Sequence, residues 1–367
     1  MTGICLNMIV KDETPVLRDC FASVRPWITS WVIVDTGSTD GTQALIRELL
    51  GDLPGELHER PWKDFGHNRT EALELARTFV GDQPDYLLFI DADDLLRIPA
   101  GFALPPLTHD AYHVELRLND LAYARCALVA ARVPWRYVGV LHEVLTGPAG
   151  HSLGRLEGPY IQARVCGARS AAPDKYARDA AVFEKALQDE PDNARYVFYL
   201  GQSHRDANQP DKALTAYRRR VTLGGWGEEV FYSLYMIARL GEILNWPKAQ
   251  VTDAYLAAYQ YRPTRAEPLV QLARVHRMRQ EYAVSFLFAD AARKTPRPAD
   301  ILFVEEDLYR WRAADEYAIA AYWLDRHQDS LAVCEELLGN PALPDNQRQR
   351  IIDNANFART RLGLPRG

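Results

Sequence analysis

The chain has 367 residues, 47% of them apolar and 25% charged, the balance of a folded protein with two or three domains. Its 43 basic and 49 acidic residues leave a net charge of −6, which excludes the basic excess that drives non-specific nucleic-acid binding. An apolar run of about 18 residues is absent, as is the basic-then-apolar start of a signal peptide, so the sequence reads as cytoplasmic without stable membrane insertion. The cysteines Cys5, Cys20, Cys126, Cys166 and Cys334 form no CxxC pair and read as reduced, buried thiols.

In chain order, Ile4 to Val10 is an apolar run suited to a buried strand. Trp31 to Val34 and Tyr86 to Ile90 are two more, with amphipathic helices over Thr39 to Leu50 and Asn68 to Val80 between them. That alternation predicts βαβ units and a mostly parallel sheet. Leu118 to Val165 is rich in Val, Tyr and Gly and predicts short strands that extend the sheet with antiparallel pieces. Beyond Gly167 the strand signal fades. Pro173-Asp174 marks a helix start, and Tyr176 to Gln188 has helical periodicity.

The rest of the chain is repetitive. Gly201 with Ala213 and Tyr217, and Ala273 with Ala289 and Ala292, fall at helix-turn-helix positions 72 residues apart, close to two repeats of about 34. Glu228 to Pro263 is then the intervening unit and Asp307 to Asn340 a degenerate one. The aromatics from Tyr196 to Trp246 read as repeat packing, and Arg218-Arg219-Arg220 as a solvated face. The domains expected are 1–167, α/β, and 168–367, all-α.

Four stretches carry chemistry. In Val34-Asp35-Thr36-Gly37-Ser38-Thr39-Asp40-Gly41-Thr42 a strand ends in an aspartate before a tight turn, where an open α/β sheet binds ligands. Asp35 either accepts hydrogen bonds from a base or ribose or orders its own turn. Asp91-Ala92-Asp93-Asp94 crowds carboxylates at the end of a strand, a pattern that suits Mg²⁺ or Mn²⁺ holding a diphosphate. Asn68 and Arg69 open a helix, whose N-terminus attracts anions. His142-Glu143 offers a metal ligand beside a base. On a regular strand the two would point to opposite faces, so a loop is needed to bring them to one site.

Taken in order, Ile9-Val10-Lys11-Asp12-Glu13, the Asp35 turn, Asn68-Arg69, Asp91-Ala92-Asp93 and His142-Glu143 resemble the family-2 glycosyltransferases of GT-A fold. The branch they are most similar to carries tetratricopeptide (TPR)-like helical repeats after a short catalytic domain. Phe198 to Ser203, Gly224 to Glu229, Arg262 to Pro268 and Leu302 to Glu305 are similar to segments of its helical half. The resemblance implies a nucleotide-diphosphate sugar donor, with UDP favoured, and a divalent ion, Mn²⁺ or Mg²⁺. It implies inverting transfer to a glycan, lipid-linked saccharide or protein acceptor. By the same resemblance Asp35 contacts the base or ribose, Asn68 and Arg69 face the nucleotide, and Lys11 lies near it. Asp91 and Ala92 line the ribose side, Asp93 and His142 hold the metal, and Glu143 is the catalytic base, with Asp94 and Glu115 as alternatives. The short catalytic half implies that the repeats help to form an acceptor site or a homodimer. The competing expectations are a TPR-type scaffold with an inactive catalytic domain and a nucleotidyltransferase. The absence of glycine from Asn7 to Thr14 speaks against the second.

Overall fold

The structure, a computed structural model, describes residues 3–367 except 82, 84, 119–120, 165 and 168–173, with the backbone alone at 121–123. Pro173 and the first residue of the expected second domain lie outside the described residues. The chain forms two compact units, 1–191 and 192–367.

The first unit is built on an eight-stranded sheet of order β3-β2-β1-β4-β7-β6-β10-β5. Strands β1 (Ile4–Val10), β2 (Ser30–Asp35), β3 (Gly55–Glu59) and β4 (Tyr86–Phe89) run parallel. They alternate with α1 (Thr14–Val24), α2 (Thr42–Leu50) and α3 (Phe65–Val80). β1 and β2 are apolar on both faces because both faces are covered, as expected of a parallel sheet. The one polar side chain inside β1, Asn7, is buried and donates to the Val32 and Ala72 carbonyls, tying β2 and α3 to it. After the short β5 (Leu95–Arg97), the strands β6 (Ala111–Leu118) and β7 (Leu121–Ala130) form an antiparallel pair, and β7 also pairs antiparallel with β4. The strands β8 (Arg136–Val138) and β9 (Val144–Thr146) make a separate hairpin. β10 (Leu153–Gln162) returns beside β6, and α4 (Lys175–Asp189) closes the unit. The expected parallel core with antiparallel additions is the observed α/β sheet.

The second unit is all-α: hairpins α5 (Ala194–Asp206)–α6 (Pro210–Leu223), α7 (Gly227–Ile243)–α8 (Lys248–Tyr261), α9 (Glu267–Met278)–α10 (Tyr282–Lys294) and α11 (Ala313–Trp323)–α12 (His327–Gly339), then α13 (Asp345–Arg361). A π-helical turn over Leu308–Arg312 leads into α11. The hairpins repeat atom for atom at their turns. Asn208, Asn245, Gln280 and Asp325 each take positive φ two residues beyond the first helix. The next amide donates back in each case: Gln209 to His204, Trp246 to Gly241, Glu281 to His276 and Arg326 to Ala321. Ser285 bonds the Ala273 carbonyl just as Ser330 bonds Ala318. Gly201 lets the Tyr217 ring lie against α5, the close helix approach that the small residues suggested.

Two expectations are corrected. Arg220 is not on a solvated face: it is 1% exposed and paired with Glu229 at 2.9 Å. Cys166 is exposed and Cys126 half-buried, whereas the other three thiols are buried; among the described residues all five are free. No helix of the described residues is long and apolar enough to cross a membrane.

Candidate functional site

The parallel strands β1, β2 and β4 deliver their loops to one edge of the sheet, the carboxyl end where such folds bind ligands. The first two loops are tied together. Asp12, at φ 55°, accepts from the Thr39 amide at 2.8 Å, and its own amide donates to the Ser38 hydroxyl at 2.8 Å. Thr42 accepts from the Glu13 amide, and Asp40 accepts from the amide and hydroxyl of Thr14. Lys11, on the first of these loops, is exposed.

Asp35 ends β2 and is 1% exposed. One carboxylate oxygen, Oδ1, accepts from the Gly37 and Ser38 amides at 2.9 Å and from Gln43 Nε2 at 3.2 Å. The other, Oδ2, is buried without a hydrogen-bond partner among the described residues. Asp35 therefore orders its own turn with one oxygen and leaves the second for something else. A buried acceptor left unpaired costs about 1–3 kcal/mol, which a ligand donor would recover.

The Asp91 cluster lies beyond β4. Asp91 Oδ1 accepts from Arg69 at 2.6 Å and Oδ2 from Arg125 at 2.9 Å. Burial alone would push this carboxyl up, but the two guanidiniums reverse the effect and hold it well below the usual range. Asp94 goes the other way: burial, then the Asp91 charge, push it up to about 7. Arg125 is 3.8 Å from Asp94, too far for a direct hydrogen bond. Asp93 faces a different neighbourhood. Its Oδ2 accepts from the Cys166 and Gly167 amides at 3.1 and 2.8 Å, and its carbonyl accepts from Arg164. Ala92, between the two aspartates, is buried.

Arg69 joins this cluster to Glu143. Its Nε stands 2.7 Å from Glu143 Oε1, a close ion pair whose N–H is not aimed at the carboxylate. Residues 139–143 form the loop between β8 and β9, so the objection raised by strand alternation does not apply. Gly139 and His142 both take positive φ, and the loop is docked on the start of α3 by the Phe65 amide donating to the Val140 carbonyl. A Cβ on Gly66 would fall inside contact distance of the Gly139 carbonyl oxygen. The loop nevertheless sends its two side chains apart: Glu143 reaches Arg69, while the His142 ring lies parallel to Phe183 of α4 at 6.3 Å.

Asn68, next to Arg69, is fully buried. Its amide accepts from the Lys63 N–H and donates to the Pro61 carbonyl, so it shapes the approach to α3. Asp64 caps that helix by accepting from the His67 amide at 2.8 Å.

The structure thus gathers Arg69, Asp91, Asp94 and Glu143, with Arg125 added, and sets Asp93 and His142 apart from them. Arg125 and Arg164 escaped the sequence reading. The available signal for Arg125 was a lone basic residue inside the otherwise small and apolar strand β7. As for a divalent ion, no three His, Cys, Asp or Glu side chains converge among the described residues. Both Asp91 oxygens are taken by guanidiniums, but Asp93 Oδ1 has no partner among the described residues. One free carboxylate oxygen fits an ion that draws its remaining ligands from substrate phosphates and water, as Mg²⁺ commonly does.

Residues 5–98 match the model of glycosyl transferase family 2. A TPR repeat-containing protein of Synechococcus elongatus is 35% identical over 153 residues, covering 40% of this chain and 36% of that protein. The SPbeta prophage-derived glycosyltransferase SunS of Bacillus subtilis is 30% identical over 93 residues, 25% of this chain and 20% of that one. The chain therefore spans about a third or less of these curated relatives. A solved tetratricopeptide repeat protein from Parabacteroides merdae is similar at 16% identity and a TM-score of 0.37, over 52% of this chain and 68% of that one.

Proposed function

We propose, for a chain whose N-terminal part is a family-2 glycosyltransferase domain, that it transfers a sugar from a nucleotide-diphosphate donor, UDP-linked by preference, to a hydroxyl acceptor. The observation that carries this reading is the buried Asp35 carboxylate with one unpartnered oxygen at the carboxyl end of β2. A nucleobase N–H or a ribose hydroxyl is the donor it lacks.

In this reading Asp91 stays ionised between Arg69 and Arg125 and lines the ribose side of the site, together with the buried Ala92. Asp93 would hold a divalent ion through Oδ1, and that ion would supply positive charge to the leaving diphosphate. The guanidiniums of Arg69 and Arg125 are already committed to carboxylates, so they are not free cations for that charge. Glu143, oriented by Arg69, is the group that takes the acceptor proton, and direct displacement then inverts the anomeric centre. The sheet unit serves catalysis, and the TPR-like helices engage a saccharide or protein acceptor.

The test is calorimetric titration of UDP, GDP and dTDP, each with and without Mn²⁺, on wild type and Asp93→Ala. The expected result is metal-dependent binding of one nucleotide that the substitution abolishes. Folded protein that binds none of them would overturn the reading and favour a scaffold.

A further inference from the structure

The helical unit contains one departure from its own regularity. Successive hairpins are joined by residues 224–226 and 262–266, but α10 and the next helix are separated by residues 295–305, eleven positions outside any helix. The positive-φ residues of the turns register this, falling 37, 35 and then 45 residues apart. Connections of this length in a compact domain usually have a job beyond joining.

The later part of this connection, 299–305, lies across the side lined by the first helices of the hairpins. Its backbone is gripped by side chains. Glu228, at the start of α7, accepts from the Ile301 and Leu302 amides at 2.9 and 2.7 Å. Arg265, fully buried before α9, donates to the Leu302 and Phe303 carbonyls at 3.2 and 3.0 Å and is itself fixed by Glu267. Asp300 pairs with Arg262 and Arg265. The Phe303 ring stands against Tyr232 of α7 at 4.8 Å and parallel to Phe198 of α5 at 6.3 Å. Glu305 lies 3.9 Å from both Arg239 and Arg312.

This is how a receptor holds an extended peptide: backbone groups read by fixed polar side chains, one aromatic anchor, and flanking carboxylates set against arginines. The fit is incomplete. Phe303 takes φ 46°, a conformation that bulky L-residues avoid, and remains 43% exposed, while Ile301 is 81% exposed.

The geometry points to residues 299–305 as an intramolecular pseudo-ligand, covering a surface on α5, α7 and the approach to α9 whose outside occupant is an extended peptide with an aromatic side chain flanked by acidic residues. An outside peptide binds when the chain's own segment lifts, so its apparent affinity is lowered by the fraction of molecules in which that segment is seated. This inference does not depend on the glycosyltransferase reading.

The probe is a labelled synthetic peptide, Pro-Ala-Asp-Ile-Leu-Phe-Val-Glu-Glu, the sequence of residues 298–306, with a second peptide carrying Ala for Phe as control. Phe303→Gly in the 367-residue chain, which removes the anchor and permits the positive φ, is expected to bind the probe about tenfold or more tightly than wild type and to ignore the control. Glu228→Gln, which loosens the grip on the two amides, is expected to shift binding in the same direction. In wild type, saturating probe should speed hydrogen exchange at the Ile301 and Leu302 amides while leaving α13 unchanged, a readout that needs no variant. Equal affinity of wild type and both variants would show that the segment covers nothing. Absence of binding to folded variants, or unaltered exchange in wild type, would show that it is only a brace. Exchange of the segment between two copies, seen as a dimer of Phe303→Gly that excludes the probe, would also overturn the assignment.

Discussion

Substituting Asp35 by Asn tests the donor site where the structure is most specific. The change keeps shape and volume. The amide oxygen can still accept from the Gly37 and Ser38 amides and Gln43, so the turn keeps its hydrogen bonds, though weakened by loss of the charge. At the position of Oδ2, however, an acceptor becomes a donor, and a base or ribose donor would meet another donor there. A hydrogen bond to a charged group contributes about 1.5–3 kcal/mol, which corresponds to roughly tenfold to hundredfold weaker UDP binding. Calorimetry with UDP in the presence of Mn²⁺ measures it. Inorganic diphosphate, which lacks base and ribose, is the internal control and should bind wild type and Asp35→Asn alike. UDP binding within twofold of wild type, with an unchanged melting temperature, would refute the role assigned to Oδ2.

Other expectations concern the frame around the site. Glu229→Ala leaves Arg220 buried without its carboxylate and should cost about 3–5 kcal/mol. For a unit of this size that lowers the melting temperature by roughly 6–20 °C in a thermal scan. A fall below 2 °C would mean that Arg220 finds other partners. Gly66→Ala should push the 139–143 loop off α3, lowering turnover more than UDP binding, because Arg69 keeps Asp91 while Glu143 is displaced. Equal loss of both would place the loop in nucleotide binding instead. Asp40 is held down at about 2, because hydrogen bonds from Thr14 and Thr42 outweigh the effect of its burial. Its folded value lies below the unfolded one, so it adds stability above pH 4 that disappears as pH falls from about 4 to 2. Asp40→Asn should flatten the acid-denaturation profile over that window by a small amount, since the group is largely exposed.

How far the sequence reveals this arrangement depends on the kind of signal each element carries. β1, β2 and β4 were legible because burial on both faces demands uninterrupted apolar runs, and Ile4–Val10 coincides with the predicted strand. β3 was not: as an edge strand of Gly-Glu-Leu-His-Glu it has no such run. α1 was missed although Pro at its start and the spacing of Val16, Leu17, Cys20, Phe21 and Val24 mark a helix. The TPR-like hairpins were legible as small residues 72 apart, because Gly201 and Ala273 occupy equivalent places two hairpins apart on α5 and α9. Individual charges were the least legible. Arg218-Arg219-Arg220 looks uniform, yet Arg220 turns inward to Glu229, and only tertiary contacts decide which of three adjacent arginines does so. In the site, Asp35, Asp91 and Glu143 could be named from motif position, whereas Arg125 arrives from a strand 34 residues after Asp91 and carries no motif.

Arg69 shows why the pairing pattern matters more than the inventory of charged residues. As a free cation at a helix start it would read as a phosphate anchor. Here one guanidinium spans Asp91 and Glu143, and Arg125 takes the other Asp91 oxygen, so the positive charge is matched before any substrate arrives. Asp94, pushed up to about 7, is the carboxyl that yields under the remaining crowding. An anionic diphosphate entering such a cluster would meet carboxylates whose partners are already engaged, and its approach would be unfavourable unless a cation came with it. Asp93 Oδ1, set apart from these pairs and without a partner among the described residues, is an oxygen that could receive such a cation. On this argument the arginines order the carboxylates of Asp91 and Glu143, and in the proposed reaction charge compensation of the leaving group would be a separate task, falling to Asp93.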